Sequence, residues 1–318
     1  MSILYIHFSF LIVSVVLISF AVGSNSTSNA VGISIGCQII TIRNAILFFS
    51  LFVFIGLFLQ GSHVMETVGK NLVKLDIDDI TVSMLIAATL IISSNIRRIP
   101  LSTHQVIIGS LTGVGFASGI KINWELLLKI LISWIVSPFF AFLLAIAFYK
   151  IIELITSKVA FLFLDKFIKY LLILGILFIA YNTGANELAT VLGPFACIPI
   201  VAKHIFWLQI LGTMALFFGA LILGPKVIYT VGKGITSLDP YSGIAAQLGA
   251  SVSVLIFTFF AMPVSTTYCI IGGISGVGAL KGMKTVGRKT LKNILLVWWL
   301  APLIAFLLAY FIKMSLKR

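Results

Sequence analysis

Long apolar runs separated by short polar connections follow one another along the whole chain. They lie near residues 3–22, 44–60, 80–94, 101–118, 126–152, 170–183, 188–202, 205–224, 244–261, 264–280 and 291–313. A helix needs about 20 mainly apolar residues to cross the hydrocarbon core of a bilayer. Several runs are shorter than that, which is typical of broken or re-entrant helices. The pattern predicts an all-α polytopic membrane protein with about 10–12 transmembrane segments.

Composition supports this prediction. Of 318 residues, 60% are hydrophobic and only 10% are charged, whereas about a quarter of the residues in a soluble domain are charged. The net charge of +13 comes from Lys and Arg between the apolar runs, as the positive-inside bias predicts, so it does not indicate nucleic-acid binding. The cysteines, Cys37, Cys197 and Cys269, lack the spacing of a zinc site or a disulfide framework.

The chain contains an internal repeat. Residues 99–121 (IPLSTHQVIIGSLTGVGFASGIK) and 262–284 (MPVSTTYCIIGGISGVGALKGMK) are identical at about half of their positions. In the same order, 23–32 matches 184–193 and 64–70 matches 227–233. This duplication predicts two halves, 1–155 and 156–318, that form one integrated transmembrane domain.

Basic residues cluster at opposite ends of the equivalent long helices of the two halves. After the long helix of the first half come Lys150, Lys158, Lys166 and Lys169, and before the equivalent helix of the second half come Lys281, Lys284, Arg288, Lys289 and Lys292. If both clusters are cytoplasmic, the equivalent long helices cross the membrane in opposite directions. This predicts inverted-topology repeats with both termini external, although Lys313, Lys317 and Arg318 weigh against that orientation.

Each half also carries a Pro-x-Ser-Thr block that predicts a helix N-terminus. Pro100 and Pro263 suit the first turn of a helix. The hydroxyls that follow are those of Ser102, Thr103, Ser265, Thr266 and Thr267. His104 follows Ser102 and Thr103 and could touch an anion, although its partner in the repeat is Thr267. A helix N-terminus binds oxyanions readily. Two such tips meeting near the midplane would form a neutral pocket for a small tetrahedral anion.

The segments GSNSTSNAVG at 23–32 and GANELATVLG at 184–193 interrupt apolar runs with small polar residues. We expect both to unwind a membrane helix and to offer carbonyls and Asn side chains to Na⁺ or to a proton-linked cavity. Glu187 is the one acid in an apolar stretch. Placing an ionisable group inside a membrane costs free energy, so such a residue indicates a functional role. A structural ion pair with Lys203 is the alternative.

These blocks resemble the inorganic phosphate transporter (PiT) family. GANELATVLGP at 184–194 and GSNSTSNAVG resemble its paired GAND-VAN-A motif, and IPLSTH at 99–104 and MPVSTT at 262–267 resemble its PVSTTH blocks. The resemblance implies a multi-pass secondary transporter of the cell membrane, not an enzyme, that imports inorganic phosphate by symport with Na⁺ or H⁺. It implies no bound cofactor, contact with the lipid bilayer and a homodimer.

The resemblance also implies two sets of site residues. The anion would be bound by Ser102, Thr103, Ser265, Thr266, Thr267, Asn25 and Asn186. The coupling ion would be bound by Glu187, Asn25, Ser26, Asn29, Asn186 and Thr190, with no metal other than Na⁺.

The chain departs from the family pattern at three of these positions and at one further position. Ser26 stands where the family has an acid, Glu187 where it has Asp, and Thr190 where it has Asn; Val53 replaces a common Glu. Fewer acids leave the number and identity of the coupling ions open. A permease for sulfate or another oxyanion, or an anion channel, is the alternative function.

Overall fold

The computed structural model describes residues 2–36, 40–97, 101–158, 161–225, 239–282 and 288–317, most of them helical. The helices are α1 Ser2–Gly36, α2 Ile42–Glu66, α3 Ile77–Ile96, α4 Thr103–Ser118, α5 Trp124–Thr156, α6 Phe161–Asn182, α7 Ala189–Ala196, α8 Pro199–Ala202, α9 Ile205–Ile222, α10 Pro240–Phe259, α11 Thr266–Leu280 and α12 Arg288–Leu316. Short π-helical stretches extend α2 over Thr67–Leu72 and α6 over Thr183–Leu188. Within these ranges there is no strand, only an isolated bridge between Val73 and Ile122.

Seven helical segments of this described part are long and apolar enough to cross a membrane. They are His7–Gly32, Ile42–Leu72, Ile77–Ile96, Trp124–Thr156, Ile205–Ile222, Pro240–Phe259 and Trp298–Leu316. The predicted class, an all-α polytopic membrane protein, is confirmed; the larger number of segments stays a prediction. Helices α4 and α11 have 16 and 15 residues, fewer than the roughly 20 that a full crossing needs.

The two Asn-containing segments lie at very close helix contacts between the sequence halves. A Cβ atom on Gly184 would lie 1.8 Å from the carbonyl oxygen of Val53, and one on Gly23 would lie 2.0 Å from that of Leu216. Gly23 and Gly184 are equivalent positions of the internal repeat. Glycine is required at both because only the absence of a side chain lets the backbones approach this closely. Each segment is therefore packed against a helix of the other half.

The short helices exchange partners in the same way. Helix α4 packs along α12, where a Cβ on Gly109 would lie 2.5 Å from the carbonyl oxygen of Pro302. Helix α11 packs along α5, where a Cβ on Gly272 would lie 2.1 Å from the carbonyl oxygen of Pro138. Each short helix is therefore held by the long, proline-containing helix of the other half.

The expected unwinding of the Asn-containing segments is wrong for the first and takes another form in the second. Residues 23–32 continue the regular α-helix of α1. In the second segment, Thr183–Leu188 widens to a π-helix and α-helix resumes at Ala189. Within this helix the hydroxyls are satisfied by carbonyls one turn back, as Thr27 is by Gly23 at 2.5 Å and Ser28 by Asn25 at 2.8 Å, so polar side chains are accommodated without unwinding the backbone.

A buried cluster of charges joins the start of α3 to the end of α12. Asp79, which is 2% exposed, pairs with Lys313 and accepts a hydrogen bond from the Ser118 hydroxyl at 2.6 Å. Lys317 donates to the carbonyl oxygen of Ala117 at 2.8 Å. Lys313 is thus paired inside the bundle, whereas Lys317 is an exposed residue that reaches back to the end of α4.

Several residues singled out in the sequence lie outside the described part of the chain. These are Cys37, Pro100, the block 227–233, Lys284, Arg318 and the side chains of the basic residues from 288 to 292. The other two cysteines are free thiols: Cys197 is exposed and Cys269 is buried.

Candidate functional site

The two Pro-x-Ser-Thr blocks form helix tips of the same local geometry. Ser102 precedes α4 with φ −82° and ψ 116°, and Ser265 precedes α11 with φ −81° and ψ 113°. Serine is favoured at this N-cap position because its side chain can satisfy a free backbone N–H of the first turn. Ser265 does so, accepting from the Tyr268 N–H at 3.3 Å, whereas Ser102 makes no such bond.

A side-chain hydrogen bond joins the tips of α4 and α11. The Tyr268 hydroxyl donates to the Gln105 side-chain oxygen, and both residues are buried. These two positions are equivalent in the internal repeat, one turn into each short helix. The structure therefore brings together the two helix N-termini, with about half a positive charge each.

Glu187 links the second Asn-containing segment to the first segment and to the first tip. Its Oε1 atom accepts hydrogen bonds from the Ser26 hydroxyl at 2.7 Å and from the Thr103 hydroxyl. The carboxylate is 3% exposed, and Lys203, its alternative partner in the sequence, is exposed and makes no ion pair with it. The acid contacts the predicted site residues and not a structural lysine.

Asn25 and Asn186 hold the two tips in equivalent ways. The Asn25 amide donates to the carbonyl oxygen of Leu101 at 3.2 Å. The Asn186 amide donates to the carbonyl oxygen of Met262 at 2.9 Å, and its oxygen accepts from the Val264 N–H at 3.0 Å. Since Leu101 and Val264 immediately precede the N-cap serines, each asparagine fixes the entry of its own half's tip.

Asn29 and Thr190, equivalent residues of the two segments, behave differently. The Asn29 amide donates to the Thr267 hydroxyl at 2.8 Å, across the two halves. The Thr190 hydroxyl donates to the carbonyl oxygen of Asn186, one turn back in its own helix, at 2.8 Å. Asn29 thus joins the tip of α11, whereas the hydrogen bond of Thr190 stays within its own helix.

Several buried polar atoms at the tips make no hydrogen bond to any residue that the structure describes. They are the hydroxyls of Ser102 and Thr266, Oε2 of Glu187 and both ring nitrogens of His104; Tyr268 lies near Ser102 and Asn186 lies near His104, but neither contact is a well-directed hydrogen bond. Buried polar groups are almost always paired in native proteins, so each exception needs an explanation. A cluster of such atoms around paired helix N-termini has the chemistry of a site for a small oxyanion.

The residues expected to hold the coupling ion supply oxygen atoms. The described residues contain no group of three or more His, Cys, Asp or Glu side chains that could hold a metal ion. Hydroxyl, amide and carboxylate oxygens from Ser26, Asn25 and Glu187 are instead the ligands that a hard cation takes. Val53 is buried next to Gly184 and adds no charge, so the site carries one acid.

Sequence reasoning missed two features of the site. The first is the contact between Gln105 and Tyr268, which joins the tips. These two residues occupy equivalent positions of the internal repeat, and a polar side chain at both of them could have indicated the contact. Thr258 accepts from the Asn186 amide at 2.8 Å, and it lies in an apolar run without a motif that would mark it.

Comparison with known proteins gives a consistent result. The sequence profile described as the phosphate transporter family matches the chain twice, over residues 22–164 and 157–309. A protein of Methanocaldococcus jannaschii named as a phosphate permease is 38% identical, over 92% of this chain and 93% of its own length. A protein of Bacillus subtilis named as a low-affinity inorganic phosphate transporter is 29% identical, over 98% of each chain.

A solved structure shares the fold. The structure described as the sodium-dependent phosphate transporter superposes with a TM-score of 0.88 over 98% of this chain and 99% of its own, at 23% identity. The family is one of membrane transporters and not a class of enzymes. On the profile match and the relative in Methanocaldococcus jannaschii, this chain belongs to the phosphate transporter family.

Proposed function

We propose that this protein imports inorganic phosphate across the cell membrane by symport with a cation, Na⁺ or H⁺. The observation that carries the proposal is the buried carboxylate of Glu187, held by Ser26 and Thr103 beside two adjoining helix N-termini. An acid that can hold a cation, in direct contact with an oxyanion site, would couple the binding of the two solutes. The phosphate named for the relatives and the sodium named for the solved structure agree with it.

The charges of the site explain why a cation would be needed. A phosphate dianion is very costly to bury without compensation. Two helix N-termini offer about one positive charge together, and Glu187 cancels it when ionised. A cation bound at Glu187 would restore the attraction for phosphate, so each solute would favour binding of the other.

In this proposal the anion is bound by the tip hydroxyls with Asn25 and Asn186, and the cation by Glu187 and its neighbours. Three of the tip hydroxyl-bearing residues, Ser265, Thr266 and Thr267, come from the second half, and Ser102 and Thr103 come from the first. Contribution from both halves would let a relative movement of the halves open the site to either side.

We also propose that the halves 1–155 and 156–318 are inverted repeats with both termini external. The reciprocal packing of Gly109 against Pro302 and of Gly272 against Pro138 supports a symmetric relation between them. Cysteine labelling of Ser2 and Lys317 from outside intact cells tests the orientation; protection of either terminus would contradict it. The homodimer implied by the family resemblance remains part of the proposal, and the mass of the purified protein in detergent tests it.

Uptake into proteoliposomes tests the function. Labelled phosphate is supplied with an inward Na⁺ gradient, an inward proton gradient, or neither. Accumulation above the external concentration with one of the gradients is expected. Flux that only equilibrates phosphate would indicate a channel, and accumulation of sulfate in preference to phosphate would indicate the alternative substrate.

A further inference from the structure

His104 is a buried polar residue at the site that the transport proposal does not use. It is the second residue of α4 and is 1% exposed. Its imidazole lies against the side chain and backbone of Asn186, but neither ring nitrogen forms a well-directed hydrogen bond with a residue in the described ranges. The residue before it, Thr103, donates to Glu187. A histidine filling the core for structural reasons would have at least one nitrogen paired.

The other half of the sequence supplies a comparison for this residue. Thr267 occupies the equivalent position in the internal repeat, and its hydroxyl is bonded to Asn29 at 2.8 Å. The threonine therefore has a hydrogen-bond partner inside the protein, whereas the larger histidine has only its contact with Asn186. Asn186 can engage one ring nitrogen at most in this contact, so the other is left to meet a ligand, together with the hydroxyls of Ser102 and Thr266.

The chemistry of the imidazole restricts which ligand fits. A charged ring is costly to bury without an ion partner, and an uncharged ring carries one hydrogen-bond donor and one acceptor. At neutral pH phosphate carries at least one proton on oxygen, so it can both accept from the ring and donate to it. Sulfate carries none, so it leaves the ring acceptor unpaired.

We propose that His104 is a specificity-determining residue: its imidazole accepts a hydrogen bond from the protonated oxygen of hydrogen phosphate and thereby favours that anion over sulfate. Sites with a buried group that must be paired reject an analogue lacking the matching atom far more strongly than apolar pockets reject a change of size. The inference rests on the proposed phosphate transport and adds to it the basis of anion selection.

The test is inhibition of labelled phosphate uptake in proteoliposomes by sulfate and by arsenate, which like phosphate carries protons at neutral pH. In the unaltered protein arsenate should compete strongly and sulfate weakly. His104→Leu removes both donor and acceptor, and the preference for phosphate over sulfate should fall roughly 10- to 100-fold, the range expected for one hydrogen bond to a charged group. His104→Gln keeps a donor and an acceptor and should hold the preference within about threefold.

His204→Leu is the matched control, because His204 is exposed and is not part of the proposed anion site. This variant should leave the preference for phosphate over sulfate unchanged. If His104→Leu no longer transports, the same ranking is read from thermal stabilisation of the purified variant by each anion, because a ligand stabilises the state it binds. An unchanged preference in His104→Leu, or equal competition by sulfate in the unaltered protein, would overturn the inference. No uptake by the unaltered protein would instead contradict the transport proposal, so the two failures are distinct.

Discussion

The two halves of the sequence build similar helix tips but give them different charges. Both have an N-cap serine, a threonine in the first turn, and an asparagine that fixes the entry of the tip. The second half alone carries the acid, Glu187, where the first has Ser26; the first alone carries the imidazole, His104, where the second has Thr267. The shared residues give both tips the same geometry, and we propose that cation coupling and anion selection reside in the positions where the halves differ.

Replacing Glu187 by Gln should have the largest effect on function. The amide keeps the size and a hydrogen-bond acceptor for Ser26 and Thr103 but removes the charge that the cation requires. Phosphate accumulation should fall to background, while expression and thermal stability change little. The readout is gradient-driven uptake in proteoliposomes, with Glu66→Gln, an exposed acid paired with Lys70, as a control that keeps normal uptake.

Exchanging the two residues sharpens that comparison. The double variant Ser26→Glu with Glu187→Ser moves the acid to the first half and keeps the contact between the segments. Partial recovery of accumulation over Glu187→Gln is expected if charge at this contact is the requirement. Full accumulation in Glu187→Gln alone would reduce Glu187 to a structural acid.

Each short helix ends beside an ion pair, Asp79–Lys313 at the end of α4 and Asp239–Lys281 at the end of α11. Breaking these two pairs should change the free energy of unfolding by very different amounts. Asp79 and Lys313 are 3% and 17% exposed at their side chains, whereas the Asp239–Lys281 pair is more than a third exposed. Asp79→Ala leaves a lysine with a buried, unpaired charge and should cost about 3–5 kcal/mol. Asp239→Ala should cost at most about 1 kcal/mol. Unfolding of the purified variants in one detergent measures both.

A neutral replacement of the buried pair provides the control for this prediction. Asp79→Leu combined with Lys313→Met removes both charges, and most of the lost stability should return. Equal losses for Asp79→Ala and Asp239→Ala would contradict the importance of burial. A double variant as unstable as Asp79→Ala would show that the loss comes from packing and not from charge.

Where the halves are alike, the same substitution should have the same effect. Gly184→Ala and Gly23→Ala each place a methyl group within about 2 Å of a backbone carbonyl oxygen of the other half. Overpacking of this kind costs about 1–3 kcal/mol. Gly224→Ala is the matched control, since its Cβ would lie 3.7 Å from Thr27, an ordinary contact. A marked difference between Gly23→Ala and Gly184→Ala would break the equivalence of the two contacts.

The sequence was informative wherever a pattern recurs. The apolar runs predicted a helical membrane protein, and the repeated Pro-x-Ser-Thr blocks predicted paired helix tips, because duplication separates a functional pattern from chance similarity among apolar helices. Asp79 could not be recognised as buried: it stands in a polar connection, and its partner Lys313 is distant in the chain. The hydroxyls of residues 23–32 are satisfied by the preceding turn of a continuous helix, and composition alone does not distinguish this from an unwound segment.

The smallest expected effect is the pH dependence of the exposed pair, Asp239 and Lys281. Burial alone would raise the pKa of Asp239, but hydrogen bonds from Lys281 and Ser242 outweigh it, so this pKa is lowered from 3.8. Burial alone would lower the pKa of Lys281, but the hydrogen bond to Asp239 and its charge outweigh it, so this pKa is raised from 10.5. A raised lysine pKa gives stability that is fully present below pH 10.5 and is lost as the pH rises through the folded-state value.

Lys281→Met tests this dependence, because it keeps an apolar chain against the Tyr149 ring, which lies 5.4 Å from the lysine nitrogen. At neutral pH the variant should be less stable than the unaltered protein by at most about 1 kcal/mol. Since the pair loses its lysine charge in alkali, this difference should shrink above pH 10.5, as unfolding midpoints measured from pH 7 upward would record. A difference independent of pH would assign the role of Lys281 to packing on Tyr149, and the two short helices would then end in unlike contacts, one ionic and one apolar.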